Sequence, residues 1–127
     1  MARILLAEDD EAMRTFLTRA LEKGGHKVHA VGDGLEALPA IAQDRFDLLV
    51  ADVVMPGMDG IELARRATRE IADLKVIFIT GFAAVAMRLS GSTQKNARVF
   101  SKPFHLRELV DEIEKVLRVP TGTEGKA

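Results

Sequence analysis

Short continuous apolar runs alternate with segments of helical period along this chain, and few folds accept that order. Ile4-Leu5-Leu6-Ala7 is the first run, unbroken as in a strand buried on both faces. Met13, Phe16, Leu17, Ala20 and Leu21 follow at helical spacing and stop at Gly24-Gly25, a common C-terminal signal. Residues 27–31 predict a second strand, less apolar and so nearer an edge. Asp33-Gly34-Leu35-Glu36 offers a capping box for a second helix. Pro39 inside that helix removes one backbone bond, which predicts a kink or a short helix. Residues 46–51 predict a third strand, 60–71 a third helix, 76–79 a fourth strand and 97–101 a short fifth. Leu106, Leu109, Val110, Ile113, Val116 and Leu117 mark the last helix. Between strands four and five, residues 83–89 read as a short helix interrupted by Ser90-Gly91-Ser92-Thr93. The alternation predicts an α/β fold: a doubly wound, five-stranded parallel sheet with helices on both faces, in three layers.

With 127 residues the chain fits one domain that can bury a core. The expected division is a domain over residues 1–118 and a disordered tail over 119–127. Cysteine is absent, which excludes disulfides, thiolate metal sites and thiol catalysis. No apolar run approaches the roughly 20 residues of a membrane-spanning helix. Met1-Ala2-Arg3 leads straight into the first strand without a signal-peptide layout, so a cytoplasmic location is expected. Lys plus Arg number 18 against 19 Asp plus Glu. That balance offers no electrostatic footprint for nucleic acid or for an anionic membrane.

Parallel sheets of this kind bind ligands beyond the carboxyl ends of their strands. The first strand ends in Glu8-Asp9-Asp10, the third in Asp52 and the fourth in Thr80, and Lys102 follows the fifth. Taken singly, each has a plainer reading: an acidic helix start, a turn residue, a cap and a solvated surface charge. Their shared position at four strand ends favours a site. Carboxylates held about 4 Å apart repel by roughly 4 kcal/mol at an effective dielectric near 20. A hard cation such as Mg²⁺ resolves that conflict and commonly bridges carboxylates to a phosphate oxygen. Asp52 beside a cation and an ammonium suits nucleophilic attack on phosphorus, with Thr80 and Lys102 binding phosphoryl oxygens.

Glu8-Asp9-Asp10, Asp52-Val53-Val54-Met55-Pro56-Gly57-Met58-Asp59-Gly60, Thr80-Gly81 and Lys102-Pro103-Phe104 together resemble the receiver domain of two-component response regulators. The resemblance spans about residues 2–117. It implies a (βα)₅, flavodoxin-like fold phosphorylated on Asp52 by a histidine kinase or phosphotransfer protein. It also implies Mg²⁺ held directly by Asp9 and Asp52, by Glu8 through water, and by the backbone carbonyl of Val54. Thr80 becomes the switch hydroxyl and Lys102 the phosphoryl-binding cation, with a cis Lys102-Pro103 bond. Val99, Phe100, Pro103 and Phe104 form the implied switch and partner face. Residues 78–85 and 99–106 look most like the CpdR group, single-domain regulators that act in cell-cycle control as adaptors for the ClpXP protease. That resemblance implies a protein-binding switch with an AAA+ protease as effector, not an enzyme.

The chain departs from the family pattern in three places. Val99 stands where many receivers carry an aromatic residue, with Phe100 after it; Gly91 and Ser92 interrupt the helix before strand five; and residues 83–89 hold only Arg88 as a charge. An apolar segment of that kind is core or a docking surface. A relay that passes phosphoryl to a His-containing transfer protein is the alternative function. A phosphohydrolase lacks a second catalytic Asp, since Val54 occupies that position. A constitutive binder is disfavoured by the full set of acceptor-site residue types. His26 and His29, at odd spacing, point to opposite faces and make no metal pair. His105, Met55 and Met58 read as packing or surface residues.

Overall fold

The computed structural model describes residues 2–82, 97–102 and 104–118. The expectations for residues 83–96, for Pro103 and its peptide bond, and for the tail lie outside the described residues. Five strands, β1 (Arg3–Ala7), β2 (Lys27–Val31), β3 (Leu48–Asp52), β4 (Lys75–Thr80) and β5 (Ala97–Ser101), form one sheet. All neighbouring pairs are parallel, in the order β2-β1-β3-β4-β5. The described helices are α1 (Glu11–Lys23), α2 (Gly34–Gln43), α3 (Gly60–Glu70) and α4 (Leu106–Arg118).

The strand patterns explain this order. Every residue of β3 and β4 is buried, as continuous apolar runs require at the centre of a sheet. β2 and β5 are partly exposed and take the two edges, as the sequence predicts for β2. Successive side chains point to opposite faces, so the central strands feed two cores. Leu5, Leu49, Val76 and Phe78 pack in one core with Leu63, Ala64 and Ala67 of α3 and Ala37 and Ile41 of α2. Ile4, Leu6, Leu48, Val50, Ile77 and Ile79 pack in the other with Leu17 and Leu21 of α1 and Leu109, Ile113 and Val116 of α4.

Local signals set the helix ends. Asp10, Asp33 and Asp59 cap α1, α2 and α3, each accepting from the amide three residues on, a strongly preferred N-cap arrangement. In the capping box of α2 the return bond is displaced by one residue: Glu36 Oε1 accepts from Gly32 N–H at 3.0 Å. The helix continues through Pro39 and is ten residues long. Phe16 departs from expectation, being 56% exposed on α1. It sits about 100° around the helix from Leu17, beyond the stripe that Leu17, Leu21 and Met13 bury.

Three contacts tie the C-terminal half of α4 to the lower pole of the sheet, where the strands begin. Buried Lys75 Nζ donates to the Val116 carbonyl at 2.8 Å. Arg98 pairs with Glu112 at 3.4 Å. His26 Nδ1 accepts from Ala2 N–H at 3.1 Å, so Nε2 carries the proton and donates to Glu114 Oε2 at 2.6 Å.

Candidate functional site

The upper pole gathers the strand-end residues. Asp52 closes β3 in register with Ile79 of β4, and Thr80 closes β4 in register with Ser101, the residue before Lys102. Glu8 and Thr80 are fully buried and Asp52 is 5% exposed. Lys102 Nζ donates to Asp52 Oδ2 at 2.9 Å, while Asp52 Oδ1 accepts from Val54 N–H at 3.2 Å. Thr80 accepts from Phe82 N–H at its hydroxyl and from Lys102 N–H at its carbonyl, at 3.1 and 2.7 Å.

Glu8 is held by three hydrogen bonds. Its amide donates to Val31 of β2, its carbonyl accepts from Arg14 Nη1 of α1, and Oε2 accepts from Asp10 N–H. Buried Oε1 has no hydrogen-bond partner. Lys102 Nζ lies 3.6 Å from it, an ion-pair distance too long for a hydrogen bond. Burial pushes the Glu8 carboxyl up to about 7, with Asp52 adding to the rise and the Asp10 amide and Lys102 opposing it. Burial works against the Lys102 charge, but the Asp52 and Glu8 carboxylates outweigh it and hold the ammonium above its usual value.

Glu8, Asp9 and Asp52 each place a carboxylate oxygen within 4.8 Å of the others. This is an all-oxygen set of the type that hard divalent cations take. The orphaned Glu8 oxygen and its raised pKa are what a cation would correct, so these residues fit Mg²⁺. Asp10 is not part of that set; it caps α1, and for this residue the plainer reading is right.

The structure separates the expected switch residues. Val99 packs on the α2–α3 side of the sheet, and Phe100 packs on the α1–α4 side, edge-on to Phe104 with ring centroids 5.7 Å apart. Met55 and Met58 are buried in the core on the α2–α3 side. His29 meets Phe46 edge-on, away from His26.

Two supports were not foreseen. A Cβ on Gly60 would lie 2.2 Å from the Asp52 carbonyl oxygen, and Gly60 N–H donates to the Val53 carbonyl at 2.8 Å. The Met-Asp-Gly ending of the acceptor motif is the sequence signal for this close approach. Arg14, which pins the Glu8 carbonyl, carries no signal beyond its place on α1.

The chain belongs to the response regulator receiver domain family, whose model matches residues 4–114. It is 57% identical over 117 residues to the response regulator receiver protein CpdR of Brucella abortus (strain 2308), covering 92% of this chain and 98% of that protein. It is 40% identical to the response regulator MprA of Mycobacterium leprae (strain TN) over 91% of this chain but 51% of the relative, so it spans about half the length of MprA. Among solved structures, the non-phosphorylated HemR receiver domain from Leptospira biflexa superposes with a TM-score of 0.85 at 33% identity, covering 94% of this chain and 97% of that one. The expected fold is therefore the observed one. Among the described residues no helix is long and apolar enough to cross a membrane.

Proposed function

We propose that the chain is a cytoplasmic, phosphorylation-controlled protein-binding switch with Asp52 as acceptor, and that it turns over no substrate of its own. The observation that carries this reading is the nearly buried Asp52 carboxylate, paired with Lys102 Nζ at 2.9 Å beside Glu8 and Asp9. Burial keeps bulk water from the nucleophile, and the ammonium stands ready for the charge of an incoming phosphoryl group. An Asp52 carboxylate oxygen forms a bond to the phosphorus of a phosphohistidine on a kinase or phosphotransfer protein. The phosphorus–nitrogen bond breaks, and the imidazole nitrogen takes up a proton. Glu8, Asp9, Asp52 and the Val54 carbonyl would hold Mg²⁺, which would supply charge neutralisation for the phosphoryl group. Thr80 donates to one phosphoryl oxygen, and Lys102 shifts to another.

Phosphorylation exchanges the single carboxylate charge of Asp52 for a phosphoryl group of roughly −1.5 to −2, a net gain of about one negative charge, at a site tied to the β4 and β5 loops. Movement of Thr80 and Lys102 reshapes the face near Val99, Phe100 and Phe104. A partner that prefers one state by about 2–3 kcal/mol then changes occupancy widely. The 57% identity to CpdR over nearly all of both chains supports the adaptor reading, with an AAA+ protease of the ClpXP type as effector.

The test exposes wild type and Asp52→Ala to an acyl phosphate, with and without Mg²⁺, and records intact mass. One Mg²⁺-dependent phosphoryl group on wild type alone is expected; an unmodified wild type, where a control receiver labels, ends the reading. Capture of the AAA+ unfoldase by one phosphorylation state supports the adaptor. Rapid return of phosphoryl to a His-containing transfer protein, with no such capture, makes the chain a relay.

A further inference from the structure

The two side chains at the heart of the site share one arrangement. Each accepts a hydrogen bond from the amide two residues on: Val54 N–H to Asp52 Oδ1, and Phe82 N–H to Thr80 Oγ1. Asp52 and Thr80 are buried, whereas Val54 and Phe82 are 50% and 57% exposed. Each buried reacting group is thus one hydrogen bond away from an exposed apolar side chain.

The Thr80 bond can survive phosphorylation. A hydroxyl has one proton to give and two lone pairs to accept with. Accepting from Phe82 leaves the Thr80 proton free for a phosphoryl oxygen, and bonds in such a chain strengthen one another. Gly81, between the two, does not obstruct their joint movement: a Cβ there would meet only Lys102 side-chain atoms at 3.9 and 4.0 Å. Strand β5 supplies no competing ring beside Thr80, since Val99 has none and Phe100 turns to the opposite core against Phe104.

We propose that Phe82 displays the phosphorylated state: capture of a phosphoryl oxygen by the Thr80 hydroxyl draws the Phe82 amide, with its ring, over the mouth of Asp52. The ring loses exposure, and the apolar surface offered to a partner changes there. This inference rests on Asp52 being the acceptor. With an acyl phosphate as donor, an Asp52 oxygen bonds to phosphorus, the phosphorus–oxygen bond to the donor's carboxylate breaks, and that carboxylate leaves with the electron pair.

The chain has no tryptophan or tyrosine, so Phe82→Trp introduces a single reporter at an exposed position. Phe16→Trp, on the exposed flank of α1, serves as the control. Both proteins are treated with acetyl phosphate and Mg²⁺, and iodide quenching of emission and intact mass are followed in the same samples. The expected result is a loss of quenching in Phe82→Trp that rises in step with phosphoryl gain, with no change in Phe16→Trp. Scaled to the phosphorylated fraction, that loss persists when Thr80→Ser is added and vanishes when Thr80→Val is added. Phosphoryl gain with unchanged Phe82→Trp quenching overturns the coupling and leaves the acceptor reading intact. An equal response of Phe16→Trp, or a response that survives Thr80→Val, also overturns it. Absence of phosphoryl gain in every protein removes the acceptor reading and the coupling together.

Discussion

Glu8 is buried with one carboxylate oxygen left without a hydrogen-bond partner, and its titration is a direct test of the site. Its carboxyl titrates near 7 in the folded protein against an ordinary 4.5, chiefly because burial disfavours the charged form. The folded state therefore holds this proton more tightly than the unfolded chain does. Stability from that proton is fully present below about pH 4.5 and is lost as pH rises toward about 7. For the metal-free protein the loss amounts to at most about 3 kcal/mol. Denaturation midpoints without divalent cation should fall across this window, and Glu8→Gln should remove much of the fall. Added Mg²⁺ should raise the midpoint more at about pH 8 than at about pH 5, because only the charged carboxylate is a ligand. A midpoint indifferent to both pH and Mg²⁺ would remove Glu8 from the metal set.

Among the elements, the β3–α3 connection is the least forgiving of added volume. Gly60→Ala places a carbon 2.2 Å from the Asp52 carbonyl oxygen, so backbone must move; a loss of about 2–4 kcal/mol in urea unfolding is expected, together with impaired phosphoryl gain. Gly81→Ala, whose Cβ meets nothing closer than 3.9 Å, should leave stability within about 1 kcal/mol. Pro39 is exposed inside α2, and Pro39→Ala restores a bond to the Leu35 carbonyl; a gain of about 1–3 kcal/mol is expected in the same assay. Much of this layout is legible in the sequence. Parallel topology puts every strand end on one rim, so Glu8, Asp52, Thr80 and Lys102 could be gathered before any coordinates. The exposure of Phe16 is not legible, because spacing gives the direction of a helical stripe and not the width that its neighbours cover. Nor does periodicity reveal Arg14 holding the Glu8 carbonyl or Phe82 bonded to Thr80, since both depend on how loops close in space.

At the scale of the whole molecule, α4 is secured at one pole and the site lies at the other. Lys75→Met removes the bond to the Val116 carbonyl; hydrogen exchange should quicken in the last turn of α4, at a cost of about 1–3 kcal/mol. Phosphoryl gain at Asp52 should persist in that variant, because none of the site residues lies at that pole. Equal loss of protection along the whole helix would show that the anchor holds all of α4 and not its end. The site itself spans the chain: Lys102 meets Asp52 across 50 positions, and Glu8 lies on the far side of both in sequence. A polypeptide emerging from the ribosome presents its aspartate long before it presents the ammonium that completes the cradle. The rim is thus assembled only when the last strand has joined the sheet. A chain that stopped short of β5 would leave the Asp52 carboxylate without the ammonium that it meets at 2.9 Å.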